Sequence, residues 1–391
     1  MIAPCEAVLE SSHAATVHHS LPNPVTPWWD YMPWVERQYS KGQIDRAGRA
    51  LVTLGKDDPS RDELITIVDN WRSCHAYPLQ IIKMTLFNRA RSIDGNALIA
   101  QRMKRRPSIE LKLHDNENMK LSQMQDIGGC RAVLGSAAQV RKLVKKYKDY
   151  NAKSPQNRSK WDGSDDFDYI KNPKPDGYRS IHLIFRFQSP SPAKECFNGQ
   201  RIEIQVRSKL QHLWATAVET AQVFTGQALK SKFKNASDDW LRFFALTSSV
   251  FAQKEKSPIV PGTPENRDEL IRELQEIVSR ANIMQSLSSW NDTIHLIEEK
   301  EDMAGAHQFL LVLDPSKKTL TLRPFSKDEI DTAQKAYEKA EKDNESDQTT
   351  QVVLVSVDNL DALRKAYPNY YVDTRGFIQA IRAEITTIKE F

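Results

Sequence analysis

The sequence predicts an α/β (α+β) protein: a mixed β-sheet flanked by helices, followed by a smaller C-terminal α/β unit. Three observations carry this. Residues 201–207 (RIEIQVR) alternate apolar and polar with period two, and residues 179–187 (RSIHLIFRF) alternate as well, which is the pattern of half-buried strands. The stretches 40–113 and 208–253 carry apolar residues at helical spacing. Beyond residue 300, strand signals return after KSPIVPGTPEN at 256–266, a linker by its three prolines and glycine.

Composition limits the alternatives. The chain has 391 residues, room for two to three domains at about 150 residues each. Hydrophobic residues at 40% and charged residues at 27% exclude collagen, mucin and a wholly disordered chain. No apolar run approaches the roughly 18 residues of a membrane span. Residues 1–20 contain no Lys or Arg, so no secretory signal is expected. Cys5, Cys74, Cys130 and Cys196 lie far apart with no CxxC pair. That argues against a disulfide framework or a zinc finger and for a cytoplasmic location. Net charge is only +4, but 83–112 is strongly basic. Lys83, Arg89, Arg91, Arg102, Lys104, Arg105, Arg106 and Lys112 face only Asp94 and Glu110, a balance that suits polyphosphate or nucleic acid.

In chain order, residues 1–35 hold five prolines, three histidines and three tryptophans and read as a loosely ordered arm. Ser40 is an N-cap before an Ile44/Ala47/Leu51/Leu54 stripe. Helices follow around Leu64–Trp71 and from Pro78, and a fourth leads into Arg102. Strands are expected over 126–134, 179–187 and 201–207, with a basic helix at 138–150 between the first two. Helices cover 208–228, 238–253 and 267–288. The last unit reads as strand 308–313, turn 314–318, strand 319–323, helix 327–342, strand 351–357, helix 358–366 and a helix from 374. The mixed-charge stretch 335–350 reads as solvated. His75 reads as an ordinary helix residue. The domains are then 1–35, 36–255, a linker and helix at 256–300, and 301–391.

Period two places Ile202, Ile204 and Val206 on one face of 201–207, and Arg201, Glu203, Gln205 and Arg207 on the other. Alone this fits an edge strand with one wet face. Asp126, before a β-rich run, supplies a second carboxylate. Two carboxylates plus phosphate oxygens satisfy a Mg²⁺ bound to a nucleoside polyphosphate. The loop 168–182 (DYIKNPKPDGYRSIH) is stiffened by two prolines and Asp176-Gly177. It offers Lys171, Lys174, Tyr178, Arg179 and His182. Lysines can meet phosphates and a tyrosine can stack on a base; a plain turn with solvated lysines is the alternative.

Four motifs stand in order: R-x-K-x-x-x-S-I-x-x-K (Arg102, Lys104, Ser108, Ile109, Lys112), D-I-x-x-x-R (Asp126, Arg131), the 168–182 loop, and I-E-I-Q-V-R-S (202–208). Together they resemble the synthetase domain of the RelA/SpoT homologue family. The trailing Q-H-x-W-A-T-x-x-E (211–219) resembles its small, single-synthetase members. The resemblance covers roughly 40–255. It implies a nucleotidyltransferase-like fold and transfer of pyrophosphate from ATP to a ribose 3′-hydroxyl, releasing AMP. By resemblance, Asp126 and Glu203 hold Mg²⁺, and Glu203 takes the hydroxyl proton. Arg102 and Arg131 sandwich the adenine, while Lys104 and Lys112 neutralise the polyphosphate. Gln205, Arg207 and His212 support the ATP site. Tyr178 stacks on the acceptor base, with Lys174 and His182 near its phosphates. The five-residue spacing of Asp126 and Arg131 would put them on opposite strand faces unless Gly128-Gly129 bulges the strand. The family's metal-dependent hydrolase half has no counterpart: His18, His19 and His75 lack the partners for it.

The whole chain further resembles the CapRel-type fused toxin–antitoxin members. In these a C-terminal pseudo-zinc-finger, without zinc, carries a Tyr-x-x-Tyr motif over the ATP site; Tyr367 and Tyr370 match it. The resemblance implies an autoinhibited, monomeric enzyme of a bacterium or prophage. It would modify the 3′-adenosine of the tRNA CCA end and be triggered by a phage protein, typically capsid. It also implies that residues 1–255 alone are toxic. The basic stretches 83–112, 141–148 and 230–234 would suit a tRNA backbone. Two alternatives stay open: a (p)ppGpp synthetase with GDP or GTP as acceptor, and an inactive synthetase fold that binds RNA or protein.

Overall fold

The computed structural model describes residues 34–55, 58–153, 159–161, 167–225, 238–291, 295–298, 305–344, 347, 350–357, 360–367, 370–371 and 373–385. The chain divides into two units, Met1–Trp34 and Val35–Phe391. The arm expected at 1–35 falls, up to residue 33, outside the described residues, as do Cys5, His18, His19 and the basic run 230–234.

The second unit is built on one mixed sheet. Its strands are β1 (Leu98–Met103), β2 (Gly128–Leu134), β3 (Lys160–Trp161), β4 (Ile181–Arg186), β5 (Arg201–Ser208), β6 (His295–Glu298), β7 (Gln308–Asp314), β8 (Thr319–Phe325) and β9 (Gln351–Ser356). Across the sheet the order is β3-β4-β5-β2-β1-β9-β7-β8-β6. β2 and β5 pair in parallel, as do β6 and β8; the other pairs are antiparallel. The strands beyond residue 300 therefore continue the sheet of the first 255 residues. The join is β1 against β9, with Gln101 opposite Ser356 and Arg102 opposite Val355.

The helices are α1 (Lys41–Thr53), α2 (Arg61–Ser73), α3 (Ala76–Arg91), α4 (Arg106–His114), α5 (Ala137–Lys153), α6 (Lys209–Thr225), α7 (Asp238–Lys254), α8 (Arg267–Ala281), α9 (Ile283–Asn291), α10 (Ile330–Asp343), α11 (Leu360–Ala366) and α12 (Arg375–Ile385). Ser40 caps α1 with Gln43 in a reciprocal capping box. α1, α2 and α4 enclose Ile44, Leu51, Val68, Trp71, Ile109 and Leu113. α12 inserts Phe377, Ile378 and Ile381 into the apolar layer of α6, α7, α8 and α9. Across β7 and β9, α10 covers Leu310, Val352 and Leu354. On the opposite face Leu311, Val353 and Val355 pack with α11, Tyr367 and Tyr370.

Four expectations are corrected. Arg102 lies on β1, not on a helix: Leu98-Ile99-Ala100 is a short apolar run between Gly95 and Pro107, too short for a helix, with Ile99 and Ala100 buried in the sheet. The single helix expected over 267–288 is two, broken at Asn282, whose φ of 49° is left-handed, a conformation Asn tolerates. The stretch 335–350 is not uniformly solvated. Ala333, Tyr337 and Glu341, four residues apart on α10, are buried. His75 is not an ordinary helix position: it is the fully buried junction of α2 and α3, with Nδ1 2.7 Å from the Trp71 oxygen.

Candidate active site

Ile202, Ile204 and Val206 are fully buried, each stabilising the fold by roughly 1.5–3 kcal/mol. Slipping β5 by one residue would turn all three to the other face. That pins Glu203, Gln205 and Arg207 to one surface. The sheet register builds the rest. Arg102 stands opposite Gly129, which stands opposite Glu203. Ala100 stands opposite Arg131, Arg131 opposite Gln205, and Gln205 opposite His182. Gly129 carries no side chain between Arg102 and Glu203, and space opens there. The resulting cavity of about 100 Å³ is lined by Arg102, Lys104, Asp126, Arg131, Glu203, Gln205 and Tyr367, among others.

Asp126 and Arg131 thus share a cavity although five apart. The parity argument fails because Asp126 precedes β2, which starts at Gly128; no bulge is needed. Lys104 Nζ and Lys112 Nζ each donate to an Asp126 carboxylate oxygen at 2.9 Å. Burial opposes the charge on Asp126, but the two ammonium groups outweigh it and hold the carboxyl below its usual range. Glu203 is likewise half-buried. His182 Nδ1 lies 2.8 Å from one of its oxygens and Gln205 Nε2 donates to the other at 2.8 Å. Burial is again outweighed, and the Glu203 pKa falls to about 2.

The 168–182 loop is a fixed turn. The Asp168 carboxylate accepts from the Ile170 and Lys171 amides at 3.2 and 2.9 Å. Gly177 (φ 91°) passes so close to α6 and α7 that a Cβ there would lie 2.9 Å from Trp214 and 3.0 Å from the Phe244 oxygen. Ser248 Oγ donates to the Gly177 oxygen at 2.6 Å. The Tyr178 hydroxyl is 2.7 Å from His182 Nε2 and accepts from Arg207 Nη2 at 2.8 Å. Burial disfavours charge at Tyr178, but Arg207 and His182 outweigh it and draw the phenol below its usual range. Lys174 and Arg207 both lie over the Tyr178 ring, 5.3 and 5.2 Å from its centroid. Tyr178 is therefore already packed, not an open stacking platform.

Above Arg131 lies the segment after α11. Tyr367 donates to the Gln101 oxygen at 3.0 Å, and its ring stands 6.0 Å from the Arg131 guanidinium carbon. Arg131 Nη1 donates to the Ala366 oxygen at 3.4 Å, and His212 Nε2 lies 3.1 Å from the Lys365 oxygen. The Tyr370 ring is buried 6.3 Å from that of Tyr367. Burial, then the like charge of Arg207, pushes Arg131 down to about 10. Burial and both arginines push His212 down to about 3. Arg131 Nε and Arg207 Nε are buried with no hydrogen-bond partner among the described residues. Buried guanidinium nitrogens without a partner are donors that an anionic ligand would satisfy.

Among the described residues no group of three His, Cys, Asp or Glu side chains could hold a metal ion. Asp126 and Glu203 line one cavity and feel each other's charge. That two-carboxylate set fits Mg²⁺, which completes its shell with phosphate oxygens and water. The sequence reading passed over Arg105, Ser108 and Cys130, which also line the cavity. It also passed over Tyr169, whose ring edge meets Tyr178 and His182. Ser108 and Tyr169 stand inside two of the four motifs; Arg105 and Cys130 carry no spacing signal.

Residues 101–225 match the family described as "Region found in RelA / SpoT proteins". No curated protein matches the chain. Among solved structures, small alarmone synthetase 2 of Bacillus subtilis is 18% identical at a TM-score of 0.39, over 48% of this chain and 93% of that one. Small alarmone synthetase 1 of Bacillus subtilis is 17% identical at 0.37, over 56% and 97%. A GTP pyrophosphokinase family protein of Streptococcus pneumoniae is 17% identical at 0.37, over 56% and 95%. No helix among the described residues is long and apolar enough to cross a membrane.

Proposed function

We propose that this chain, whose residues 101–225 match the region found in RelA / SpoT proteins, is an autoinhibited ATP:tRNA 3′-pyrophosphokinase. The enzyme type is that of the family. The acceptor 3′-oxygen attacks the β-phosphorus of ATP; the O–P bond forms as the α–β bridge breaks, and AMP leaves. Bound Mg²⁺ would offset charge on the phosphate oxygens, held by Asp126 and Glu203. Lys104 and Lys112 turn from Asp126 to the polyphosphate, meeting charge that builds in transfer. Glu203 takes the hydroxyl proton by position more than by basicity, given its low pKa. Arg102 and Arg131 stack on adenine, supported by Gln205, Arg207 and His212. Tyr178 moves from its packed position to meet the acceptor base, with Lys174 and His182 beside its phosphates.

One observation supports autoinhibition above all. Tyr367 walls a cavity of about 100 Å³, well under the roughly 300–1,000 Å³ of pockets that hold nucleotide-sized ligands. ATP enters only if Tyr367 lifts from the cavity. A phage protein, capsid above all, binding the C-terminal strands and helices would lift it, and translation would stop in an infected bacterial cytoplasm.

The second reading is (p)ppGpp synthesis from GDP or GTP. A specific observation favours it: much of the 83–112 charge points inward. Lys83 and Arg106 are buried, and Arg89 sits over the rings of Tyr147 and Tyr150. On α5, Arg141 pairs with Asp168 and Lys145 with Asp149. Less basic surface is left for an RNA backbone than the sequence promised. Labelling tRNA, GDP and GTP in parallel with ATP labelled in its terminal phosphates tests both readings.

A further inference from the structure

The buried polar cluster between α2, α4 and α10 has no part in the chemistry above. α4 starts without a cap of its own: its N-cap is Arg105, which makes no side-chain cap bond, and its first turn holds no acidic residue. A helix start leaves amide donors unsatisfied and favours a carboxylate. Here the carboxylate comes from 235 residues away. Glu341 Oε1 accepts from the Arg106 amide at 3.1 Å. Its other oxygen accepts from Arg72 Nη1 at 2.9 Å. Tyr337 closes the network, donating to Glu341 at 2.8 Å and accepting from Arg72 Nη2 at 2.7 Å. Arg72 Nε donates to the Lys104 oxygen at 3.1 Å. Arg72, Tyr337 and Glu341 are all almost fully buried.

We propose that Glu341 is a positioning residue for Lys104 and Lys112, fixing the start of α4 directly and the Lys104 main chain through Arg72. The two lysines that grip Asp126 flank this helix start, Lys104 before it and Lys112 nearly two turns along α4. The C-terminal segment then has two opposed effects on one site: Tyr367, backed by Tyr370, covers it, while Glu341 completes it. A trigger that lifts the tyrosines has to leave α10 seated. The inference rests on the proposed function only for the purpose of the two lysines; the positioning itself is a matter of local order.

The test uses the full chain. Hydrogen exchange over 104–112 is compared in the native protein, Glu341→Gln, Tyr337→Phe and Lys342→Ala. Lys342 makes an exposed ion pair with Asp62 on the same helix pair and serves as the control. Exchange in 104–112 should quicken roughly tenfold or more in Glu341→Gln and less in Tyr337→Phe, with no change in Lys342→Ala. In a Tyr370→Ala background, the Kd for a non-hydrolysable ATP analogue should rise roughly tenfold with Glu341→Gln, about 1.4 kcal/mol of lost binding. Should Glu341→Gln not fold, Tyr337→Phe, which keeps the ring packed, decides. Unchanged exchange over 104–112 in the folded variants overturns the proposal. Quickened exchange with no analogue binding in the Tyr370→Ala parent upholds the positioning and contradicts the pyrophosphokinase reading instead.

Discussion

The Tyr367 hydroxyl donates to the main-chain oxygen of Gln101 at 3.0 Å, joining the C-terminal segment to the strand that carries Arg102. A side chain from beyond residue 360 thereby sits on the β1 residue next to the one expected to hold adenine. Replacing the neighbouring Tyr370 by Ala removes a fully buried ring from this cover. Its loss costs about 3–5 kcal/mol of packing, and the segment should lift. AMP release from ATP should then rise at least tenfold over the native chain. An unchanged rate would place the restraint elsewhere.

Asp126→Ala and Glu203→Ala, each made in the Tyr370→Ala background, should lower AMP release by about 100-fold or more, the usual scale for losing a preorganised charge at developing phosphate charge. Asp126→Ala also removes the carboxylate that Lys104 and Lys112 both contact at 2.9 Å. Turnover that survives both changes would remove these carboxylates from the chemistry.

A chain cut after residue 255 should not behave as a released enzyme. It loses β9 and so bares the β1 edge, it loses Phe377, Ile378 and Ile381 from the helical layer, and it loses Glu341. Those three apolar side chains alone contribute roughly 5 kcal/mol or more, comparable with a whole domain's stability of about 5–15 kcal/mol. Thermal melting and light scattering should find the fragment unfolded or aggregated, against the toxicity expected from sequence. A folded, active fragment would contradict this.

His75 gives a pH signature. Burial pushes its pKa down to about 4 from an ordinary 6.5. The unfolded chain binds the proton first, so stability is complete above about 6.5 and declines as pH falls towards 4. Over that window the His75 contribution is about 3 kcal/mol. Urea titrations at pH 7 and pH 4.5 should show a smaller pH dependence in His75→Gln than in the native chain; equal dependence would refute the assignment.

Gly177→Ala forces a Cβ to within 3.0 Å of Trp214 and the Phe244 oxygen at a φ of 91°. A loss of about 1–3 kcal/mol, read as a lower Tm, is expected from strain alone. Unaltered melting would mean that the loop is not pinned there.

The sequence made some of this legible and hid the rest for identifiable reasons. The alternation of 201–207 placed Glu203, Gln205 and Arg207 correctly, because period two admits one arrangement once Ile202, Ile204 and Val206 are buried. Arg102 was misplaced on a helix, because six residues of β1 are too few to show a period. Asp126 was counted as part of β2, because strand ends are not marked by composition. Glu341 looked solvated amid Lys and Glu; only the four-residue spacing of Ala333, Tyr337 and Glu341 marked a buried stripe. The joining of β9 to β1 could not be read at all, since strand pairing across about 250 residues leaves no local pattern.

The most direct test is a transfer assay with ATP labelled in its β and γ phosphates, Mg²⁺ and the full chain, native and Tyr370→Ala, offered tRNA, GDP and GTP separately. Label on tRNA from Tyr370→Ala, with little from the native chain, is the predicted result. Label on GDP or GTP with none on tRNA would contradict the acceptor, and no transfer to any of them would contradict the account as a whole.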